Sequence, residues 1–278
     1  MSEAANADQR EYWNREGGSV WVEDQARFDE MLAPFATAVL DAAGLGADTT
    51  VIDLGCGTGA LTLAAAARAG HATGLDISVP MIDAARRRAE RAGVTNAGFD
   101  VCDAQVDPLP SADVAVSRFG VMFFEDPIAA FANVRRAVAP SGRLVFVCWQ
   151  GLLVNEWMTL PTFTAAEHVP LPDPPAPGTP GPFPLGDEDH LRAVLDGAGF
   201  ADVAITPFTT TLLLGGTGSV EDAVPFLERT GMGRTMLSEA SPEALTRVRE
   251  GLATALAPHH DGTGVRLGAA TWIVTCTP

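Results

Sequence analysis

The sequence predicts an α/β fold: a doubly wound, mostly parallel sheet of seven strands, with helical insertions that form a cap. Two observations support this class. From Thr50 onward, short and continuously apolar runs alternate with helical segments, which is typical of a parallel sheet covered on both faces. A glycine-rich turn at residues 55–59 also joins the first apolar run to the first helix, as in sheets that bind nucleotides at their carboxyl edge.

Apolar runs bounded by Gly, Pro and polar residues predict the strands, and segments of helical periodicity predict the helices. The predicted strands are residues 50–54, 72–77, 98–102, 112–117, 143–149, 201–208 and 270–277. The predicted helices are residues 9–43 with a break at 17–18, 60–69, 78–92, 127–138, 156–168, 188–198, 220–229 and 242–256. Ser78 is the expected cap of its helix, since Pro80 lies in the first turn.

Composition limits the classes of partner. The chain has 278 residues, of which 47% are hydrophobic, so it can bury a substantial core. Its net charge of −17 disfavours nucleic acid and favours a small neutral or cationic ligand. It has no apolar run of the roughly 20 residues that cross a bilayer, and no signal-peptide core. Four cysteines without a CxxC pair fit a reducing compartment, so we expect a cytoplasmic protein. A monomer or a homodimer is expected.

The glycine-rich turn is compatible with two kinds of ligand. Glycines allow a sharp turn and a close ligand approach, and the following helix directs free N–H groups toward the ligand. Gly55, Gly57 and Ala60 also satisfy the dinucleotide pattern GxGxxG/A. An oxidoreductase of the short-chain type would need a Tyr–Lys pair, yet the sequence contains one tyrosine, Tyr12, and no lysine.

Three carboxylates at strand ends favour a cationic nucleoside ligand. Asp53 precedes the first glycine by two residues, where it would attract an ammonium group and oppose a pyrophosphate. Asp76 ends the second strand and can accept both ribose hydroxyls, a feature that fits either ligand. Asp103 ends the third strand, where it can accept a hydrogen bond from an adenine amino group. Together they favour a methyl donor over a dinucleotide.

Residues 45–150 resemble the class I S-adenosylmethionine-dependent methyltransferases, especially the ubiquinone/menaquinone-biosynthesis-like branch. The resemblance rests on residues 51–59, 74–78, 102–104, 117–127 and 139–144. It implies a Rossmann-like sheet, S-adenosylmethionine as cofactor, and a set of donor-binding residues. Those residues are Asp53, Gly55 and Gly57 for the methionine part, Asp76 for ribose, Ile77 and Met81 around adenine, Asp103 and Ala104 at its edge, and Ser117 through its carbonyl near the sulfonium.

The sequence predicts four segments around this core. They are an N-terminal helical arm or lid (residues 1–44), the donor-binding core (45–150), a proline-rich cap insertion (151–186) and the remainder of the core (187–278) with a helical insertion at 209–268. The run from Pro170 to Pro184 excludes regular helix and sheet. The match to the family outside residues 45–150 is limited to the rhythm of strands, so we expect substrate choice to lie in these flanking parts.

Aromatic residues near strand ends predict an apolar acceptor pocket. They are Tyr12, Trp13, Trp21, Phe119, Phe123, Trp149 and Trp157. The sequence does not identify a catalytic base, and His168, His190 and Arg118 are the only candidates for a catalytic side chain. No metal site is expected, since the adjacent His259 and His260 lie in a glycine-containing loop.

The predicted activity is methyl transfer from S-adenosylmethionine to a small, apolar or aromatic metabolite by in-line displacement, with no nucleic-acid or membrane partner. The alternative is a non-methylating enzyme of the cyclase or decarboxylase type that keeps S-adenosylmethionine as a cofactor, since fold alone does not determine chemistry. Neither the acceptor atom nor the oligomeric state follows from the sequence.

Overall fold

The computed structural model of the chain describes residues 5–176 and 178–278, so residues 1–4 of the predicted arm and residue 177 of the proline-rich run lie outside it. The strands are β1 Thr50–Leu54, β2 His71–Asp76, β3 Ala97–Val101, β4 Ala112–Arg118, β5 Val138–Trp149, β6 Ala201–Leu213 and β7 Arg266–Thr277. The helices are α1 Ala7–Asn14, α2 Glu16–Glu23, α3 Gln25–Ala43, α4 Ala60–Ala66, α5 Val79–Ala92, α6 Pro127–Ala137, α7 Glu156–Ala166, α8 Glu188–Gly197, α9 Val220–Arg229, α10 Gly231–Leu237 and α11 Pro242–Leu256.

The seven strands form one sheet in the order β3-β2-β1-β4-β5-β7-β6. Strands β1 to β5 are parallel, and β7 runs antiparallel to both β5 and β6. This is the predicted doubly wound, mostly parallel sheet. The strand order reverses at β1, so a crevice opens at the carboxyl ends of β1 and β4, where such sheets bind ligands.

Register brings the predicted carboxylates to one edge. Asp53 in β1 pairs with Gly74 in β2 and with Val116 in β4, while Asp76 at the end of β2 pairs with Val101 in β3. Because parallel strands all end at the same edge, residues distant in sequence meet at the crevice. The central strands β1 and β4 are buried almost throughout, as their apolar sequences predict.

Local capping explains where two helices begin. The Ser78 hydroxyl accepts a hydrogen bond from the Met81 amide at 3.4 Å and starts α5. The Asp126 carboxylate accepts one from the Ala129 amide at 3.0 Å and starts α6. Both caps follow directly on loops at the carboxyl edge, so they also fix the backbone beside the crevice.

Several element bounds differ from the sequence predictions. β5 begins at Val138 rather than at residue 143, β6 extends to Leu213, and β7 begins at Arg266. The insertion between β6 and β7 therefore covers residues 214–265 rather than 209–268. It contains the short helix α10, which was not predicted from the sequence. α4 ends at Ala66 rather than at residue 69.

Helices of the N-terminal arm and of the cap insertion pack mainly on different strands of the sheet. α3 buries Phe35, Val39 and Leu40 against β4, β5 and β6, whereas α1 and α2 lie nearer the crevice, with α2 against α5. α7 packs on β7 and α11. Within the described residues, no helix is both long and apolar enough to cross a membrane.

Candidate functional site

A cleft of about 960 Å³, counting the space at its mouth, opens at the carboxyl edge of the sheet between β1, β2, β3 and β4. Eight of the nine predicted donor-binding residues line it: Asp53, Gly55, Gly57, Asp76, Ile77, Met81, Asp103 and Ala104. Four of the predicted aromatic residues line it as well: Trp13, Trp21, Phe119 and Phe123.

The glycine-rich turn brings the backbone of two loops into contact. Gly55 has a positive φ of 64°, and a Cβ atom there would lie 2.7 Å from the Cα atom of Gly120. Because real Cβ atoms do not approach other atoms so closely, residue 55 must be glycine for the loop after β1 to pack on the loop after β4. The absence of a side chain at Gly55 therefore allows the two loops to lie in direct contact beside the cleft.

Asp76 is a buried carboxylate held by backbone amides. Its Oδ2 accepts from the amide of Gly57 and its Oδ1 from the amide of Ser78, each at 2.8 Å. Burial raises the pKa of Asp76, and these amide hydrogen bonds oppose the increase. Each oxygen retains further lone pairs, so the carboxylate can accept two neighbouring hydroxyl groups of a ligand.

Asp53 has an oxygen without a protein partner. Its Oδ2 accepts from the Thr62 hydroxyl at 2.6 Å, while its Oδ1 is buried and, among the described residues, receives no hydrogen bond. Burial raises the pKa of Asp53 to about 7, and Thr62 and Arg118 act in the opposite direction. A buried acceptor without a donor is costly, so this oxygen fits a cationic hydrogen-bond donor of a ligand.

Asp103 is already engaged by the N-terminal arm. Its Oδ1 accepts from the side-chain amide of Asn6 at 2.8 Å and from the Gln105 backbone amide at 3.1 Å, and its Oδ2 lies 3.2 Å from the Arg10 guanidinium. Asp103 lines the cleft as predicted, but Asn6 and Arg10 were not among the predicted site residues. Single polar residues in a short helical arm have no periodic pattern that would reveal such contacts.

Further hydrogen bonds hold the arm against the loop after β2. The Asn14 side chain donates to the carbonyl of Ile77 at 3.0 Å and accepts from the amide of Val79 at 2.9 Å. The Ser78 hydroxyl donates to the carbonyl of Trp13 at 2.6 Å. These residues lie beside Asp76, so α1 forms a wall of the cleft whose position is tied to the carboxylates.

The aromatic residues form two groups. In the first, Trp13 meets Phe123 edge to face, with ring centroids 5.1 Å apart. In the second, Phe119 stacks on Trp149 at 4.1 Å, and Trp149 contacts Trp157 at 4.7 Å. Trp149 and Trp157 stand behind Phe119 rather than at the cleft surface.

The remaining predicted pocket residues have other surroundings. Trp157 lines a smaller apolar cavity among α7, α9, α10 and α11, and Tyr12 lies under the guanidinium of Arg234 at 5.6 Å. Ser117 is fully buried; its hydroxyl donates to the Leu54 carbonyl at 2.7 Å and accepts from the Gly120 amide at 3.2 Å. Ser117 therefore joins the ends of β1 and β4 beneath the cleft.

Of the three candidate catalytic side chains, only Arg118 lines the cleft. His168 follows α7 and lies near Gly251 of α11, and the backbone amide of His190 is bound by the Asp187 cap at the start of α8. Within the described residues, no histidine lines the cleft.

Part of the chain is similar in sequence to known methyltransferases. Residues 51–142 match the family described as "Methyltransferase domain". Aklanonic acid methyltransferase DauC from Streptomyces sp. (strain C5) is 30% identical over 122 residues, which are 42% of this chain and 56% of that protein. The chain thus spans about half the length of this relative. The matched family segment contains the glycine-rich turn and all three carboxylates.

Solved structures share the fold. The YcgJ protein from Bacillus subtilis has a TM-score of 0.59 and 18% identity, with 88% of this chain and 98% of that chain covered. The [4+2]-cyclase SpnF has a TM-score of 0.52 and 18% identity, with 88% of this chain and 80% of that chain covered. At these identities the likeness concerns the fold, which agrees with the predicted class.

Proposed function

We propose that this chain, which carries a class I S-adenosylmethionine-dependent methyltransferase domain as its sequence predicts, transfers a methyl group to a small, apolar or aromatic metabolite. The observation that carries the proposal is the Oδ1 atom of Asp53, which has no partner among the described residues and lies in a cleft that Asp76 and Asp103 also line. A pyrophosphate beside three carboxylates would be repelled, whereas a cationic nucleoside would be attracted.

The residues present fit S-adenosylmethionine. Asp53 would hold the ammonium group, Asp76 the ribose hydroxyls, and Ile77 with Met81 the adenine ring. Asp103 and Ala104 would meet the adenine edge, and Ser117 would contribute its carbonyl near the sulfonium. When bound, S-adenosylmethionine supplies a methyl group that the sulfonium has already activated for displacement.

The chain's own contribution is then alignment and exclusion of water. Trp13, Phe119 and Phe123 give the cleft an apolar wall. α1 closes its side through the contacts of Asn6 and Arg10 with Asp103. A desolvated acceptor held in line with the methyl group needs little further catalysis unless its nucleophilic atom carries a proton.

The acceptor side is proposed from the aromatic wall and the charge. Aromatic side chains favour an apolar or aromatic acceptor, and the net charge of −17 disfavours a polyanionic one. By its name, the relative DauC acts on aklanonic acid, so a carboxylic acid is one class of acceptor to test.

A binding measurement tests the donor assignment directly. We expect micromolar binding of S-adenosylhomocysteine and no comparable binding of NADH by isothermal titration calorimetry. Tight binding of NADH with no binding of S-adenosylhomocysteine would refute the proposal. Turnover can then be followed with a panel of aromatic acids and phenols, with release of S-adenosylhomocysteine as the readout.

The alternative function is non-methylating catalysis, of the cyclase or decarboxylase type, with the donor kept as a cofactor. One observation bears on it: the fold is shared with a [4+2]-cyclase, and a fold by itself does not determine the chemistry. The two functions differ in stoichiometry. Methyl transfer releases one S-adenosylhomocysteine per product, whereas a retained cofactor releases none.

We also propose the arrangement of the chain around this activity. The arm acts as a lid, the segments 151–186 and 214–265 shape the acceptor side, and the core of 45–150 holds the donor. We further propose a cytoplasmic monomer or homodimer that acts in small-molecule metabolism, without a nucleic-acid, membrane or metal partner. Size-exclusion chromatography with light scattering determines the oligomeric state.

A further inference from the structure

The cleft is lined by a half-buried cation to which the donor assignments give no role. Arg118 ends β4 and lines the cleft beside Asp53, whose strand pairs with β4 through Val116. Among residues 5–176 and 178–278, the guanidinium of Arg118 has no hydrogen bond or salt bridge to a protein group. Its donors are therefore available to a ligand in the cleft.

Neither of the two neighbouring carboxylates forms a hydrogen bond or salt bridge with Arg118 among the described residues. Asp29 forms a salt bridge with Arg88 at 2.7 Å and accepts from Gln25 at 3.2 Å, and Asp53 accepts from Thr62. Asp29 and Asp53 therefore act on Arg118 through electrostatic attraction without a hydrogen bond. Burial lowers the pKa of Arg118, and these two carboxylates oppose the decrease. A half-buried guanidinium that lines the cleft and bonds to no protein anion among the described residues is complementary to an anionic ligand bound there.

We propose that Arg118 forms a carboxylate subsite in the cleft, adjacent to the ammonium subsite at Asp53. The proposal rests on the function proposed above and adds a recognition element to it. A planar guanidinium matches a carboxylate through two parallel hydrogen bonds, which a single ammonium cannot form. The pair of opposite charges, Arg118 and Asp53, is complementary to a zwitterion or to a cation and an acid bound side by side.

Two ligands can bring this carboxylate. One is the amino-acid part of the donor, whose ammonium group would meet Oδ1 of Asp53 while its carboxylate meets Arg118. The other is an acidic acceptor held beside the donor. The chemistry at Arg118 is the same in both cases, and removing the carboxylate from each ligand in turn distinguishes them.

The first arm of the experiment addresses the donor. S-adenosylhomocysteine and its decarboxylated analogue, S-adenosyl-3-thiopropylamine, are titrated by calorimetry into the wild type, Arg118→Gln and the exposed control Arg87→Gln. If Arg118 holds the donor, Arg118→Gln weakens S-adenosylhomocysteine by about 10- to 100-fold. The decarboxylated analogue should be unaffected, and the control should resemble the wild type.

The second arm addresses the acceptor. Naphthoate and the neutral naphthalenemethanol are titrated into the same proteins after saturation with S-adenosylhomocysteine. If Arg118 holds an acceptor, the Arg118→Gln variant keeps its affinity for S-adenosylhomocysteine and loses selectivity for naphthoate over the alcohol.

The proposal is overturned if a folded Arg118→Gln variant binds both carboxylate probes as the wild type does. Should that variant unfold, Arg118→Lys keeps the charge but not the planar pair of donors, and the same carboxylate-specific loss is expected of it. Failure of the wild type to bind S-adenosylhomocysteine at all would instead refute the proposed function.

Discussion

The side-chain amide of Asn6 donates a hydrogen bond of 2.8 Å to Oδ1 of Asp103, which joins the N-terminal arm to the loop after β3. Asp103 is 2% exposed, so the bond lies in a desolvated setting where a charged acceptor makes it strong. The backbone amide of Asn6 also donates to Oε2 of Glu125 at 2.7 Å, after β4. One residue of the arm thus contacts two loops at the carboxyl edge of the sheet.

Removing this contact should loosen the arm and weaken donor binding. In Asn6→Gly the amide is lost but the left-handed backbone, φ 56°, is retained. We expect S-adenosylhomocysteine to bind about 3- to 10-fold more weakly, because a hydrogen bond to a charged group contributes about 1.5 to 3 kcal/mol and part of that is recovered from water. Limited trypsin digestion should cleave faster after Arg10 and Arg15.

The matched control is Glu11→Gln, since Glu11 is exposed and pairs with Arg15 on the surface. Unchanged digestion of the arm in Asn6→Gly would show that the Asn6–Asp103 bond does not hold the arm closed.

Substitution of Asp76 should abolish most donor affinity. Asp76→Ala removes the proposed ribose acceptor together with the acceptor for the Gly57 and Ser78 amides, so we expect affinity for S-adenosylhomocysteine to fall by about 10- to 100-fold. Asp76→Asn retains one acceptor oxygen, so its affinity for S-adenosylhomocysteine should lie between those of the wild type and Asp76→Ala. Asp83→Ala on the exposed side of α5 is the control, and full donor affinity in a folded Asp76→Ala protein would disprove the ribose assignment.

The pKa of Asp53 gives a prediction for stability against pH in the absence of ligand. Burial raises its folded-state pKa to about 7, above the unfolded value of about 4, so the folded state binds the proton more tightly. This contribution to stability is complete below about pH 4 and is lost as the pH rises through about 7.

The isosteric variant Asp53→Asn lacks this titration. We expect it to be more stable than the wild type at pH 8, by about 1 to 3 kcal/mol in urea unfolding, with the difference shrinking toward pH 5. Saturating S-adenosylhomocysteine should reduce the difference, because an ammonium group favours the charged form of Asp53. A stability difference that is constant from pH 5 to pH 8 would contradict the assigned pKa.

The close approach at Gly55 predicts a large cost for one methyl group. Gly55→Ala would place a Cβ atom 2.7 Å from the Gly120 Cα at a positive φ, and we expect it to destabilise the protein by more than about 2 kcal/mol. Gly93→Ala is the control, because Gly93 has nearly the same φ of 65° but no atom within 4 Å of the added Cβ. It should cost about 1 kcal/mol, and equal losses in urea unfolding would disprove the steric argument.

Prediction from sequence worked best where the local pattern and the packing agree. The central strands β1 and β4 are mostly apolar and are buried over most of their length. It worked less well at the antiparallel edge. β6 continues past Pro207, which pairs with Trp272, because an edge strand tolerates a residue without an amide hydrogen. Its full length depends on pairing with β7, which no local pattern reports.

The same distinction applies to the site. The residues of the glycine-rich turn and Asp76 were identifiable because their spacing relative to strand ends follows from the chain itself. The contacts of Asn6 and Arg10 with Asp103, and the position of Trp157 in the smaller cavity, could not be identified in this way. Each depends on which distant element packs nearby.

The sequence by itself therefore determined the sheet and the position of the glycine-rich turn and of Asp53, Asp76 and Asp103 at or near strand ends, because strand periodicity and the glycine spacing are local properties of the chain. Only the tertiary structure decided that Asp103 is bound by the arm, that Oδ1 of Asp53 has no partner within residues 5–176 and 178–278, and that Arg118 lines the cleft without a counter-ion from that same part of the chain. Hydrogen-bond satisfaction and desolvation depend on every group that surrounds an atom, and those groups come together only when the chain is folded.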